Sequence, residues 1–130
     1  AEFLGDMNFI KGRKVGGELR GPHQVETPLG RFRIYSELEL PIGEGVVLGI
    51  RPEDVQLYGE KPPSNSAVMA AVVNKQFLGN MTIYELQSNG VPFSARAAGR
   101  PALTLLSEEK LFAEFDPSWM HLFRSVRSGG

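Results

Sequence analysis

Short apolar segments separated by glycine and proline make up most of the chain. Residues 31–35 alternate between polar and apolar side chains, which places Phe32 and Ile34 on one face of a predicted strand. Residues 37–40 alternate in the same way. Further strands are predicted over residues 46–50, 68–73, 81–87, 91–97 and 110–115. The first two of these are continuous apolar runs, which are typical of strands buried on both faces.

Turn signals join these strands into an all-β fold. Residues 88–90 read Ser-Asn-Gly between two predicted strands, and an Asn-Gly step there indicates a tight hairpin. Residues 60–66 contain two prolines and two serines and predict an exposed loop between halves of about 7–59 and 67–126. Halves of that size are near the lower limit for independent cores. We therefore expect a β-barrel or sandwich with two intertwined subdomains, followed by a tail over residues 127–130.

One short helix is predicted near the C-terminus. Asp116 can cap it, and Pro117 suits the first helical position. Trp119, Leu122 and Phe123 would then share one face at helical spacing.

Two six-residue segments resemble each other. Residues 3–8 read Phe-Leu-Gly-Asp-Met-Asn, and residues 77–82 read Phe-Leu-Gly-Asn-Met-Thr. A duplicated barrel half would explain the similarity, but six residues can also match by accident.

Composition removes several classes of function. The 130 residues carry 14 basic and 15 acidic side chains, so there is no basic surplus for binding nucleic acid. The chain contains no cysteine, which excludes disulfides, a thiolate nucleophile and a cysteine zinc site. No apolar run approaches the roughly 18 residues that a membrane-spanning helix needs.

The candidate chemical motifs are weak. Residues 12–17 contain glycines and cations, but not in the order of a phosphate-binding loop, so we interpret them as strand and turn. His23 and His121 have no His or Cys partner at ligand spacing, which predicts surface histidines and no metal site. The acidic pairs at 53–54 and 108–109 would point to opposite faces of a strand. No residue is nominated as catalytic or cofactor-binding.

Nucleic-acid binding has one further candidate. Arg31, Arg33 and Tyr35 would share one face of their strand, and small barrels can bind single strands through such residues. Glu37 and Glu39 continue the same face with opposite charge, which favours a solvated surface.

A sharp bend is predicted after residue 50. Pro52 fixes its own φ and disfavours helical geometry at Arg51, while apolar alternation resumes at Val55 and Leu57. The segment is therefore interpreted as a structural corner, and nothing in it indicates catalysis.

This corner resembles the signature of the transport-associated OB domain, called TOBE, in the residues Gly49, Ile50, Arg51, Pro52, Glu53 and Asp54. Segments 7–12, 77–79, 91–96 and 115–123 are similar to other parts of the family pattern, in the same order. The resemblance implies an OB-like β-barrel that follows the ATPase domain in ATP-binding subunits of bacterial importers. Residues 1–6 would end the connection from that missing ATPase domain, and residues 7–126 would form the regulatory domain.

The resemblance also implies the domain's partners. The parent ATPase domain would be covalently attached, the parent subunit would form a homodimer, and the membrane subunits of the transporter would be contacted indirectly. The location would be cytoplasmic, at the inner face of the cell membrane. ATP and Mg²⁺ would bind only in the missing domain, because the phosphate-binding loop and the Leu-Ser-Gly-Gly-Gln signature are absent from this sequence.

Two further hypotheses concern contacts. Phe112, Trp119 and Phe123 are apolar enough to anchor an interface, although core packing is the more ordinary role for each. The alternative function is a small oxyanion-binding module of the molybdate type. Residues 94–96, Ser-Ala-Arg, resemble part of a molybdate-binding motif.

Overall fold

The computed structural model describes residues 7–99 and 109–125, and over these residues the chain forms ten β-strands. The strands are β1 (Asn8–Gly17), β2 (Gly21–Thr27), β3 (Gly30–Ser36), β4 (Gly45–Ile50), β5 (Gln56–Tyr58), β6 (Ala67–Phe77), β7 (Met81–Ser88), β8 (Val91–Ala98), β9 (Lys110–Glu114) and β10 (His121–Arg124). Two single-turn 3₁₀ segments, Pro52–Asp54 and Pro117–Trp119, precede β5 and β10.

The strands form two antiparallel sheets of five strands each. The first has the order β10-β4-β1-β2-β3 and the second the order β5-β9-β6-β7-β8. We call the two curled sheets the first and second barrels. The strand β5 follows β4 in sequence but pairs in the second barrel, and β10 follows β9 but pairs in the first. The predicted all-β, OB-like fold with intertwined halves is confirmed, and the exchange of these two strands is what intertwines the halves.

Each barrel is organised around one long, bulged strand. In β1 the register with β2 shifts between Lys14 and Gly16, and in β6 the register with β7 shifts between Val72 and Asn74. A bulge bends its strand and increases its twist. Because of this bend, the first part of each long strand pairs with β4 or β9 and its second part with β2 or β7.

The pairing registers place the two halves in residue-by-residue correspondence. The bulge residue Lys14 corresponds to Val72, and His23 on β2 corresponds to Tyr84 on β7. The ends of β4 and β9 correspond as well, since Ile50 and Phe115 occupy equivalent places just before the 3₁₀ turns. The chain therefore contains two copies of one β-unit whose last strands are exchanged.

The two barrels share one hydrophobic core. Phe115 is completely buried and makes edge-to-face contacts with Phe32 of the first barrel and Phe93 of the second, at centroid distances of 6.2 and 5.0 Å. Asn8 adds a polar link, since its side chain donates to the Ser94 carbonyl at 2.9 Å and accepts from the Ser94 amide at 2.8 Å. These contacts hold the two sheets together as one unit.

The predicted hairpin at residues 88–90 is confirmed. Asn89 and Gly90 both have positive φ, 47° and 80°, as the tight turn requires. The Asn89 side chain also donates to the Pro28 carbonyl at 2.8 Å, so the two β-hairpin tips, β2–β3 and β7–β8, touch each other.

The predicted C-terminal helix is wrong. Asp116 does cap, since it accepts a hydrogen bond from the Ser118 amide at 3.0 Å, but only the single 3₁₀ turn Pro117–Trp119 follows. The chain then becomes strand β10, because Leu122 and its neighbours complete the first barrel beside β4. Tertiary pairing overrides the apparent helical spacing.

Two strand predictions also need correction. Residues 37–40 form a connection without strand pairing, although Leu40 is fully buried. Residues 68–73 do lie in β6, but they are buried on one face only, since Met69 and Val73 are 55% and 65% exposed. The predicted connection at residues 1–6, the tail at 127–130 and Glu108 lie outside the described residues.

The similar segments noted in the sequence are not the true repeat. Residues 77–82 span the β6–β7 turn, whereas Asn8 begins β1. The strand topology is duplicated, but the pairing registers make Ser66, not Thr82, the structural equivalent of Asn8 in the second half.

Candidate interaction surface

The signature segment forms the crossing from the first barrel to the second. Pro52 begins a 3₁₀ turn in which the Asp54 amide donates to the Arg51 carbonyl at 2.9 Å. Ile50, Pro52 and Val55 are buried on either side, whereas Arg51 and Glu53 point to solvent. The buried apolar residues anchor both ends of the turn, so the segment serves as a corner of the fold.

A second corner with the same design leads back to the first barrel. The 3₁₀ turn Pro117–Trp119 lies between buried Phe115 and Met120, and the Met120 amide donates to the Pro117 carbonyl at 3.1 Å. Both corners follow one pattern: an apolar residue, any residue, proline, two residues, an apolar residue, one residue and leucine. This eight-residue spacing was legible in the sequence and would have revealed the repeat.

The three predicted interface residues lie on different surfaces. Phe112 is partly buried on β9 of the second barrel. Trp119 lies at the second corner and is 57% exposed, and Phe123 on β10 is 44% exposed. The expectation of core packing is therefore wrong for Trp119 and Phe123. A role of these residues in an interface stays a prediction.

Phe123 belongs to an aromatic patch on the outer face of the first barrel. We define the aromatic patch as Met7, Phe9, Gly49, His121 and Phe123. Phe9 and His121 are both opposite Gly49 in the ladder, on neighbouring strands. Phe9 packs edge-to-face on Phe123, and the His121 ring stacks on Phe123, both at 6.5 Å between centroids. Phe9 is 46% exposed, so the patch faces solvent.

A glycine makes this arrangement possible. A Cβ atom added at Gly49 would lie 3.1 Å from the Phe123 ring and 3.4 Å from the Met7 sulfur. The ring and the sulfur therefore lie directly over the glycine backbone. The sequence pointed to Phe123 alone, because Phe9 and His121 are brought together only by the strand exchange.

The cationic glycine-rich segment is not a phosphate site. It lies within β1, as predicted, and Lys14 is only 1% exposed. Its ammonium group donates to the carbonyls of Glu18 and Leu40, the latter at 2.6 Å. The lysine therefore ties two connections to the interior of the first barrel.

The predicted surface position of the histidines holds for one of them. His121 is exposed in the aromatic patch, but His23 is fully buried, and its Nε2 lies 3.2 Å from the Ser36 carbonyl. The prediction is wrong for His23 because the inward face of β2 falls on odd-numbered positions. Within residues 7–99 and 109–125, no group of three histidines or carboxylates could hold a metal ion. The same residues contain no helix long and apolar enough to cross a membrane.

The Ser-Ala-Arg segment lies on β8. Ala95 is in the core, and the Ser94 amide is bonded to Asn8. Arg96 lines a cavity of about 340 Å³ together with Glu53 and Tyr84. The Tyr84 hydroxyl is buried and has no hydrogen-bond partner among the described residues, and burial raises the pKa of this phenol above its ordinary value.

The basic and aromatic face of β3 is partly neutralised. Arg31 forms an ion pair with Glu26 on β2 at 2.9 Å, and both side chains are about half exposed. Tyr35 is 73% exposed at the far end of the strand. The pairing favours the solvated surface over a nucleic-acid site.

Comparison with known families agrees with this architecture. A family model of the MalK OB fold domain matches residues 6–55, and a model of the TOBE domain matches residues 48–123. The chain belongs to the TOBE domain family. The two matches overlap at the first corner, where the chain crosses from one barrel to the other. TOBE and OB domains of this kind are non-catalytic parts of ATP-binding subunits of ABC importers.

Two relatives are such subunits. The oligosaccharides import ATP-binding protein MsmX of Bacillus subtilis is 31% identical over 128 residues, which cover 95% of this chain and 34% of the relative. The sulfate/thiosulfate import ATP-binding protein CysA 2 of Chromobacterium violaceum is 33% identical over 92 residues, which cover 71% of this chain and 23% of the relative. The chain thus spans about a third or less of the length of these relatives.

A solved structure shares the fold. It is the cytoplasmic molybdate-binding protein ModG, with a TM-score of 0.72 and 16% sequence identity over 91% of this chain and 96% of that one. The coverage of both chains shows that the strand-exchanged double barrel is a known architecture. At this level of identity the likeness concerns the fold alone.

Proposed function

We propose that this chain is the non-catalytic regulatory and dimer-supporting domain of the ATP-binding subunit of an ABC-type import system. The observation that carries this proposal is that the TOBE match covers residues 48–123, from the end of β4 to Phe123 in β10. The full subunit would hydrolyse ATP in a separate domain and form a homodimer, and this domain would hold the subunits together. It would act in the cytoplasm, at the inner face of the membrane, and would contact the membrane subunits of the transporter only indirectly.

The structure supports a role by contact. The two cations of the glycine-rich segment are both engaged: Lys14 is buried and donates to two carbonyls, and Arg13 donates to the Gly43 carbonyl at 2.6 Å. The outer faces of both barrels offer surfaces instead, and the shared core gives them a fixed relative orientation. A rigid double barrel suits a domain that keeps two subunits in register while their ATPase domains open and close.

The test compares the full-length subunit with a version that lacks residues 7–125. We expect both to hydrolyse ATP, and the shortened version to form weaker dimers in sedimentation velocity across a concentration series. The isolated chain should hydrolyse no ATP. ATP hydrolysis by the isolated chain, or unchanged dimer affinity without it, would contradict the proposal.

A second candidate function is the binding of a small oxyanion. It is favoured by the fold similarity to a molybdate-binding protein and by Arg96 in the cavity beside Tyr84. Glu53 lines the same cavity, and its carboxylate opposes an anion there. Calorimetric titration of the chain with molybdate, tungstate and sulfate distinguishes the two candidate functions, because saturable binding of one anion would favour the oxyanion-binding function.

A further inference from the structure

The aromatic patch is not required by the fold. The correspondence between the halves supplies an internal control, since the patch positions on β1, β4 and β10 have equivalents on the second barrel. Phe9 corresponds to Ala67, Gly49 to Glu114 and His121 to Gln56. The same backbone is therefore built with a small and polar row in one half and an aromatic row in the other.

One position of the patch carries an aromatic ring on both barrels, but the two rings have different surroundings. Phe123 corresponds to Tyr58, which is half-buried and donates its hydroxyl hydrogen to Glu114 at 3.0 Å. On the first barrel Gly49 stands in place of that carboxylate, and the Phe123 ring lies next to the glycine with 44% of its surface exposed. The Tyr58 ring is therefore held by a contact within the chain, whereas the Phe9 and Phe123 rings stay exposed. Clustered exposed aromatic residues mark an interaction surface.

We infer that the aromatic patch docks the ATP-binding part of the same subunit. This inference rests on the proposed function. Met7 forms one edge of the patch, so the chain enters β1 at this surface, and the connection from a preceding domain would arrive here. The relatives are roughly three or more times longer than the matched segment, so a large part of such a subunit needs a docking surface.

The surroundings of the patch fit an interface. Phe9 and Phe123 form an apolar centre, and the exposed Lys11 lies on the same face of β1, two positions after Phe9. An apolar aromatic centre with a charged rim is the usual anatomy of a protein–protein contact. The contact would fix the orientation of the double barrel relative to the ATP-binding part, so that movement of one is transmitted to the other.

The test is hydroxyl-radical footprinting of the full-length subunit and of the isolated chain, read by mass spectrometry at Phe9, His121 and Phe123. Phe9 is 46% exposed, so covering it to the level of an interface centre should lower its labelling about fivefold or more in the full-length subunit. Met69 is the reference, since it is 55% exposed at the equivalent of Lys11 on the second barrel. Its labelling should not change.

The matched variants use residues that the other barrel already carries. In the full-length subunit, Phe9→Ala combined with His121→Gln should restore labelling of Phe123 to its level in the isolated chain. Met69→Ala should leave the protection of Phe123 intact. Because Ala67 and Gln56 occupy the equivalent positions, the double variant is expected to fold, and circular dichroism checks this.

The other outcomes overturn the docking inference. Protection that appears only when the subunit dimerises would assign the patch to a second copy of the chain. Low labelling in both proteins would assign the covering to the chain's own termini. High labelling in both proteins would show that nothing covers the patch. ATP hydrolysis is measured on the same samples. A full-length subunit without hydrolysis contradicts the proposed function, whereas an active subunit with an unprotected patch contradicts the docking alone.

Discussion

The two barrels share a backbone plan but differ in their interiors. Both have a bulged long strand, a corner proline and buried apolar residues at the same places. The first barrel, however, buries Lys14 and His23. The equivalent residues of the second barrel are Val72, which is partly buried, and Tyr84, which is fully buried. The shared features are thus what the strand-exchanged unit needs. The features that differ are free to serve stability of one half or a function of its surface.

The largest effect is expected at the residue that joins the halves. Phe115→Ala removes a ring that contacts Phe32 and Phe93, and it should cost about 3–5 kcal/mol of unfolding free energy. Its counterpart Ile50 is equally buried but smaller, so Ile50→Ala should cost less. Urea unfolding measures both. A smaller loss for Phe115→Ala than for Ile50→Ala would show that the ring does not join the barrels.

The buried lysine tests the difference between the interiors. Lys14→Met should lower the free energy of unfolding by about 2–4 kcal/mol, since it leaves the Glu18 and Leu40 carbonyls without their charged donor. Lys11→Met, on the exposed face of the same strand, should change it by less than about 0.5 kcal/mol. Chemical denaturation compares the two. If Lys14→Met stabilises the chain, desolvation of the ammonium group outweighs its hydrogen bonds.

The polar link between the sheets has a smaller expected effect. Asn8→Ala breaks two hydrogen bonds and leaves the Ser94 backbone groups unpaired, at a cost of about 1–3 kcal/mol. Ser66 is the counterpart of Asn8, and Ser66→Ala should cost less than about 0.5 kcal/mol. Thermal unfolding monitored by circular dichroism detects both. Equal losses for the two variants would mean that the link adds nothing to the packing around it.

The contrast between the halves also explains what the sequence could predict. Alternation in β3 and the Asn-Gly turn were readable because they depend on neighbouring residues only. The prediction of a helix that continues beyond Pro117–Trp119 was wrong because the following residues pair as β10 with β4, which is distant in sequence. Burial of Lys14 depends on carbonyls in two connections, and the aromatic patch depends on strand exchange, so neither has a local signal. The repeated proline corner was the exception, a local signal of the non-local plan.

The smallest effect concerns the unpartnered hydroxyl of the second barrel. Burial raises the pKa of Tyr84, so above about pH 10, where an unfolded tyrosine ionises, the folded state retains a proton that the unfolded state loses. Stability is therefore complete below that pH and falls as the pH rises further. Tyr84→Phe should leave stability at pH 7 unchanged or raise it by about 1 kcal/mol, and it should weaken the alkaline loss. The pKa of Tyr58 is also raised, chiefly by its hydrogen bond to Glu114, but at the surface. Tyr58→Phe should therefore weaken the alkaline loss less, because solvent screens an interaction at the surface. Denaturation at pH 7 and pH 10.5 compares the two variants, and an unchanged alkaline loss in Tyr84→Phe would refute the role of the buried phenol.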